Sequence, residues 1–372
     1  MKKLLLGFGF ISLLVGCQNE IAKNNSSDTI YWGAIAPLTG DMAPYGLMDQ
    51  NVARMWLEKT NLSGGVLGKP LKIIWEDGKC TPGDAAQAAQ KLINVDKVKI
   101  ILGTTCSGGT LSTAPIYEKN KILTLNPFAT NPTIKDAGDF IFRNVPSDSI
   151  QGKIMGEYAS GKYKKVGIIV EQTDYALGVC NTFAENFSGE IVKEEYLASE
   201  SDFKTRITKL KGSDIEALIV CNQFPNKGDI LLKQLEEQNW TLPLLHNEVI
   251  TGTAEVYTKH ADFLKKVQAI GANFIAPNTP EVRNFAEEYK DKYGAEPPYL
   301  NYAAAAQDAL NILKNIVEQV GTDQDTEKLK NALYDGVFQG LYGTITFDEF
   351  GESTLTHQLF SFDGEKYIPF TQ

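Results

Sequence analysis

Histidine is scarce in this chain of 372 residues, with 3 in all, and none shares metal-ligand spacing with a second histidine or a cysteine. There is no Cys-x-x-Cys pair, no Gly-x-Ser-x-Gly nucleophile turn and no phosphate-cradling glycine loop. Zinc chemistry, serine hydrolysis and nucleotide-dependent catalysis therefore lack their usual residues, and nothing calls for a cofactor. His246 beside Glu248 is the one tempting acid-base pair, and it reads better as a polar residue at a strand end. Basic charge is also short: 36 Lys and Arg face 46 Asp and Glu, a formal charge of -10, which argues against a nucleic-acid partner. The same balance sets up no field to draw in anions, so any anionic ligand must be held by local geometry.

Long apolar runs are missing, apart from residues 4–15, which follow Lys2 and Lys3 in the manner of a signal sequence and are too short to span a bilayer. That run ends in Leu14-Val15-Gly16-Cys17, which resembles the lipobox of bacterial lipoproteins. The resemblance implies a signal peptide at 1–16, lipidation at Cys17 and anchoring to a bacterial membrane by acyl chains alone. The alternative is a plain secretory signal with an incidental cysteine. Residues 17–28 are polar and rich in Asn, Ser and Lys, with too little apolar surface to offset the entropy of ordering, and read as a tether. Cys80, Cys106, Cys180 and Cys221 remain, an even set that an oxidising compartment would tend to pair, with three connectivities open.

From Ile30 onward, short β-rich runs alternate with helical patterns, the signature of βαβ units and parallel sheets. Strand-like runs at 30–37, 71–76, 98–103, 122–126 and 140–145 make one Rossmann-like lobe; runs at 165–171, 191–196, 217–221, 242–246 and 267–272 make a second. Helical patterns at 176–187, 202–211, 228–239 and 254–265 fill the second lobe, and a helical block follows from 279. Residues 344–347, 358–362 and the stretch around Tyr367 read as antiparallel ribbon. The expected fold is α/β, with two doubly wound lobes joined by a three-segment hinge: residues 29–146 and 276–343 in lobe 1, and 147–275 and 344–372 in lobe 2. Crossings are expected near 146–148, 273–277 and 343–346, with a ligand held between the carboxyl ends of both sheets.

Several segments, in order and spacing, resemble the leucine/isoleucine/valine-type substrate-binding proteins of ABC transporters, which have the type I periplasmic binding protein fold. They are residues 33–40 with Tyr45-Gly46, 64–71 leading into Glu76-Asp77, 103–110, 126–130, 175–178 and 347–351. The resemblance covers essentially the whole mature chain. It implies a protein that captures a small amino acid or an analogue and delivers it to a permease.

The sharpest candidate is the turn Thr105-Cys106-Ser107-Gly108-Gly109-Thr110, after an apolar strand and opening a helix. Its free N–H groups, the Ser107 hydroxyl and the helix dipole suit a carboxylate, although an ordinary Ser/Gly N-cap has the same look. The resemblance implies that Ser107 and Thr130 bind the ligand carboxylate while the carbonyl of Phe128 accepts from its ammonium. The Phe128 position is usually small in that family, so the ring either narrows the side-chain pocket or packs on the lobe. A buried ammonium needs an acid, and the resemblance puts Glu248 in that role, against the common fate of a glutamate in a solvated loop. Tyr175 would cover the ligand, with Gln223 and Tyr45 as further contacts or as packing residues. The resemblance also implies a Cys80–Cys106 disulfide. Cys180 and Cys221 form a second bond or remain buried thiols.

Three other readings compete: an enzyme, a sensor subunit, and the same fold taking an amide, a urea-like compound or an aromatic carboxylate. The chain is expected to be monomeric, with a transporter permease as its protein partner.

Overall fold

The computed structural model describes residues 29–371. The segments expected to be a signal peptide and a tether, with Cys17, lie outside the described residues. Strands β1 (Ile30–Ala36), β2 (Leu71–Asp77), β3 (Ile100–Leu102), β4 (Leu123–Asn126) and β5 (Ile141–Arg143) form a parallel sheet in the order β2-β1-β3-β4-β5. Strands β6 (Lys165–Glu171), β7 (Glu190–Tyr196), β8 (Ala217–Cys221), β9 (Leu244–His246) and β10 (Ile270–Asn273) repeat that order in a second sheet. The pairs β11 (Phe338–Gly340) with β12 (Gly343–Ile345) and β13 (Gln358–Phe362) with β14 (Tyr367–Pro369) complete the strands among the described residues, the latter pair extending the second sheet beside β10.

Both sheets are covered on both faces, and the period of two along each strand shows it. In β3, Ile100 and Leu102 enter one apolar cluster while Ile101 enters the cluster on the opposite face. In β8, Leu218 and Val220 face one side, and Ala217, Ile219 and Cys221 the other. The leucine, isoleucine and valine side chains among them each contribute about 1.5–3 kcal/mol relative to exposure. Helix starts are written in the sequence too. Thr81, Thr173 and Thr279 cap the helices Pro82–Asn94, Asp174–Asn186 and Pro280–Tyr293 by accepting from the N–H groups of Asp84, Ala176 and Val282.

The chain passes between lobes three times. It leaves the first sheet after β5, entering the second lobe through helix Asp148–Ser160, and returns after β10 to helices Pro280–Tyr293 and Leu300–Val320, whose apolar faces pack on the first lobe. The third passage differs from the one expected near 343–346. Ile345 and Phe347 are buried in the first lobe's core, β12 pairs with β11 rather than with the tail, and Glu352 bridges to Arg143 at the end of β5. The chain therefore crosses only in residues 354–357, just before β13. The apolar residues of 345–347 carried that segment to the larger core, a pull that ribbon-like alternation did not reveal.

The helix expected over 254–265 is also interrupted. Two short helices, Ala254–Lys259 and Ala261–Lys266, meet at His260, whose ring bonds Asp229 at 2.8 Å.

Two disulfides brace the lobes. Cys80–Cys106 ties the loop after β2 to the loop after β3, with Cα atoms 5.3 Å apart. Cys180–Cys221 ties helix Asp174–Asn186 to the end of β8, with Cα atoms 6.1 Å apart, so the second pair is a bond rather than two thiols.

Candidate ligand-binding site

The carboxyl ends of the two sheets face each other, and the lobes are closed on one another. Asn131 Nδ2 donates to the Asp174 carbonyl at 2.5 Å, Asn226 Nδ2 to Asp41 Oδ2 at 2.9 Å, and Gln223 Nε2 to Cys80 Sγ at 2.9 Å, each bond running from lobe to lobe. The approach is tight at Gly178, where a Cβ would stand 2.7 Å from Asn131 Nδ2. Between the lobes lies a small space lined by residues of both.

One end of that space is the turn after β3. Helix Ser107–Asn120 starts at Cys106, which offers no side-chain cap, unlike the threonine-capped helices elsewhere. Its first helical bond to the cap residue is from Thr110 N to Cys106 O, so the N–H groups of Ser107, Gly108 and Gly109 are the orphan donors of the helix start. Thr105, Cys106 and Ser107 line the space, and the Thr105 hydroxyl is buried there without a partner. Asn126 at the end of β4 fixes the arrangement. Its amide donates to Thr104 O at 2.6 Å and Thr110 Oγ1 at 2.8 Å, and its oxygen accepts from Phe128 N and Ala129 N, both at 2.9 Å. Orphan N–H groups, two hydroxyls and a dipole end make a seat for an anion without any cationic side chain.

The opposite end is acidic. Glu248, the first residue of helix Glu248–Gly252 after β9, is 3% exposed, accepts from the Tyr302 hydroxyl at 3.2 Å through Oε1, and leaves Oε2 buried without a partner. Burial raises the pKa of its carboxyl, opposed by the hydroxyl of Tyr175 and by the side chains of Gln151 and Tyr302. Among the described residues, no Lys or Arg lines the space. A buried carboxylate with a free oxygen and no cation is complementary to a ligand N–H donor.

The walls are aromatic. Tyr45 stacks on Tyr299 with ring centres 3.7 Å apart and meets Tyr302 edge-on at 5.9 Å, while Phe128 stacks on Tyr302 at 5.4 Å. The Tyr175 hydroxyl, from the second lobe, accepts from Asn247 Nδ2 at 3.1 Å. Burial drives the phenols of Tyr45, Tyr175 and Tyr302 well above the ordinary value, with the nearby Glu248 charge adding to it, so all three remain neutral.

Of the residues expected from sequence, Ser107, Phe128, Tyr175, Glu248, Tyr45 and Gln223 line one common space. Thr130 stands apart. Its hydroxyl donates to Asp148 Oδ2 at 2.8 Å, and it is the next residue, Asn131, whose N–H donates to Ser107 Oγ at 3.3 Å. Tyr302, Met42, Val249 and the Thr105 hydroxyl were not anticipated. Tyr302 opens an alanine-rich helix that reads as plain core, and only the return of that helix to the hinge brings it to the ligand. His246 faces elsewhere, with Nε2 2.6 Å from the Tyr367 hydroxyl, and burial lowers its pKa to about 4.

A doubly wound pair of lobes, hinged by three passages and closed on a polar-ended space, defines a two-lobed solute-binding protein. The profile of the periplasmic binding protein family matches residues 29–363, and the chain belongs to that family. Membership implies an extracytoplasmic location; among the described residues, no helix is long and apolar enough to cross a membrane. The chain is similar to the leucine-, isoleucine-, valine-, threonine- and alanine-binding protein of Pseudomonas aeruginosa, 28% identical over 334 residues that cover 88% of each chain. Among solved structures it resembles the branched-chain amino acid transporter substrate binding protein of Streptococcus pneumoniae in complex with isoleucine, at TM-score 0.79 and 26% identity, covering 91% of this chain and 98% of that one. A solute binding protein from Rhodopseudomonas palustris holding 3,4-dihydroxybenzoic acid shares the fold at TM-score 0.79 and 23% identity, over 92% of this chain and 97% of that one.

Proposed function

We propose that this protein captures an α-amino acid between its lobes and presents it, in the closed form, to the permease of an ABC transporter. One observation carries the reading: the two polar groups left unpartnered in the interlobe space, the Thr105 hydroxyl and Glu248 Oε2, belong to its two chemically opposite ends. A zwitterion satisfies both. Its carboxylate would take the N–H groups and hydroxyls around Ser107, and its ammonium would take Glu248 and the carbonyl of Phe128. Tyr45, Phe128 and Tyr302 would bound its side chain, and Tyr175 and Gln223 would close over it. Thr130 would act through Asp148, at the ammonium end. Two of the three relatives above are named for branched-chain amino acids, which supports an aliphatic side chain.

Aromatic carboxylates are the second reading, favoured by the ring-lined walls and the dihydroxybenzoate-bound neighbour. A simple carboxylate leaves Glu248 without a cation, which weighs against it. No cofactor is needed, since closure adds second-lobe contacts to a ligand first held on the first lobe. Lipidation at Cys17, a monomeric state and tethering by residues 17–28 complete the proposal.

Thermal unfolding screened against amino acids, small amides and aromatic acids tests it, because a ligand of the folded state raises the midpoint. A shift with an aliphatic amino acid is expected. Shifts with aromatic acids alone would replace the reading.

A further inference from the structure

Beneath the acidic end lies a second carboxylate that the chemistry so far leaves unused. Asp148, wholly buried, is the first residue of helix Asp148–Ser160, where the chain first enters the second lobe. One ligand-type atom each from Asp148, Glu248 and His357 lie within 4.8 Å of one another, and all three side chains are buried. The three residues come from different places: one follows the first crossing, one begins the helix after β9, and His357 ends the third crossing just before β13. Gln151 links them. Its Nε2 donates to Asp148 Oδ1 at 2.9 Å and lies 3.4 Å from His357 Nε2, and its Oε1 accepts from Glu248 N at 3.1 Å.

Charge in this cluster does not balance if both acids are ionised. The cation facing Asp148 is Arg143, and its guanidinium is already paired with Glu352 at 2.6 Å and bonded to Asn131 O at 2.8 Å. His357 supplies no charge, since burial, with Arg143 nearby, lowers its pKa to about 3. The other titratable groups facing the pair are the neutral phenols of Tyr45, Tyr175 and Tyr302. Thr130, Gln151 and the helix start favour the Asp148 anion, yet burial and the charge of Glu248 outweigh them and hold its carboxyl well above the usual range. Above it, Glu248 Oε2 waits without a partner on the wall of the ligand space. Like-charged carboxylates this close and this dry titrate as a pair that keeps one proton between them.

We infer that Asp148 is a positioning residue of the ammonium seat, sharing one proton with Glu248 in the ligand-free protein and losing it to solvent when a ligand ammonium docks on Glu248. The inference rests on the amino-acid reading of the site. In the step itself the O–H bond of the shared proton breaks and the proton leaves to water. The ammonium keeps its three N–H bonds, and both carboxylates end ionised around it. Binding is therefore linked to pH: affinity rises with pH, by up to about tenfold per unit, until the ligand-free pair has given up its proton. Acidic surroundings loosen the ligand. The device works against capture at low pH without changing any contact to the carboxylate end.

The test is calorimetric titration of the full mature protein with leucine, isoleucine, valine and alanine, in buffers of different ionisation enthalpy across about pH 4 to 8, the span in which buried carboxylates titrate. The wild type should release about one proton per ligand on the acidic side of the span. Asp148→Asn should lose most of that release and flatten the pH dependence, while binding the same ligand. An Asp148 that only holds the helix in place would alter affinity uniformly and leave the proton count unchanged. Wild-type binding with no proton release anywhere in the span overturns the inference, and so does an Asp148→Asn protein with the wild-type count. Should Asp148→Asn fail to fold, the wild-type count alone decides. Absence of binding by any amino acid at any pH would instead overturn the ligand reading, and the inference with it.

Discussion

Replacing Glu248 with glutamine should move binding and stability in opposite directions. The side chain keeps its volume and its carbonyl oxygen, so the Tyr302 hydroxyl retains an acceptor at the position now 3.2 Å away. What disappears is the charge. In the closed site no Lys or Arg among the described residues lines the space, so the carboxylate is the charged group available to a ligand ammonium. Exchanging a charge-assisted contact for a neutral one in a desolvated site costs about 2–4 kcal/mol, or roughly 30- to 1000-fold in Kd. Without ligand the balance reverses. A carboxyl whose pKa is raised by burial is one that the fold destabilises when ionised, and glutamine removes that burden. Ligand-free E248Q should therefore unfold at the same temperature as wild type or higher, by about 2–4 °C for each kcal/mol relieved in a domain of ordinary size. Calorimetric titration and thermal unfolding on the same preparations read both quantities. A ligand-free E248Q that is markedly less stable, with its affinity intact, would refute the reasoning, because Glu248 would then be a structural acid.

Phe128→Ala removes the ring stacked 5.4 Å from Tyr302 and should enlarge the side-chain end of the space, shifting preference toward bulkier amino acids in a competition assay while lowering stability by about 3–5 kcal/mol. Removing the Cys80–Cys106 bond, which closes a separation of 26 residues, should cost about 3.5 kcal/mol from chain entropy alone. Denaturant unfolding of the double serine variant measures it, and ligand affinity should fall as well because the bond anchors the anion seat. Glu171 is buried at the end of β6 and accepts from Gln223 N at 2.7 Å, and burial pushes its pKa from 4.5 to about 7. A raised acid binds more protons folded than unfolded, so its contribution falls as pH climbs from 4.5 through about 7. Glu171→Gln minus wild type should accordingly show a relative stabilisation that grows over that window and is flat outside it, in thermal melts at stepped pH.

Much of the fold was legible because parallel strands buried on both faces are nearly continuous apolar runs with turn residues at their ends. The runs at 165–171 and 217–221 coincide with β6 and β8. Strands β3 and β5 proved shorter than the runs at 98–103 and 140–145, because the sheet ladder pairs only 100–102 and 141–143 while Val98, Phe140 and Val145 are buried outside it. The third crossing was misplaced because a hairpin and a returning ribbon share the same alternation, and only the core that receives Ile345 and Phe347 tells them apart. At the site, residues on loops after strands, such as Ser107 and Glu248, were readable from sequence order and resemblance. Tyr302 and Asp148 were not. Each sits in the first turn of a helix beside a crossing, and its nearness to the ligand space exists only once the lobes are set against each other. Thr130 shows the reverse. It was expected at the carboxylate, but its hydroxyl is taken by an aspartate 18 residues further on.

The central claim is that the interlobe space grips a zwitterion at both ends. Calorimetric titration with leucine and with its deaminated analogue, 4-methylpentanoate, under one set of conditions tests it most directly. The account predicts saturable binding of the amino acid, and for the analogue a loss of at least about 2 kcal/mol, some 30-fold, because Glu248 is left buried without its cation. Equal affinities, or binding of the analogue alone, would contradict it.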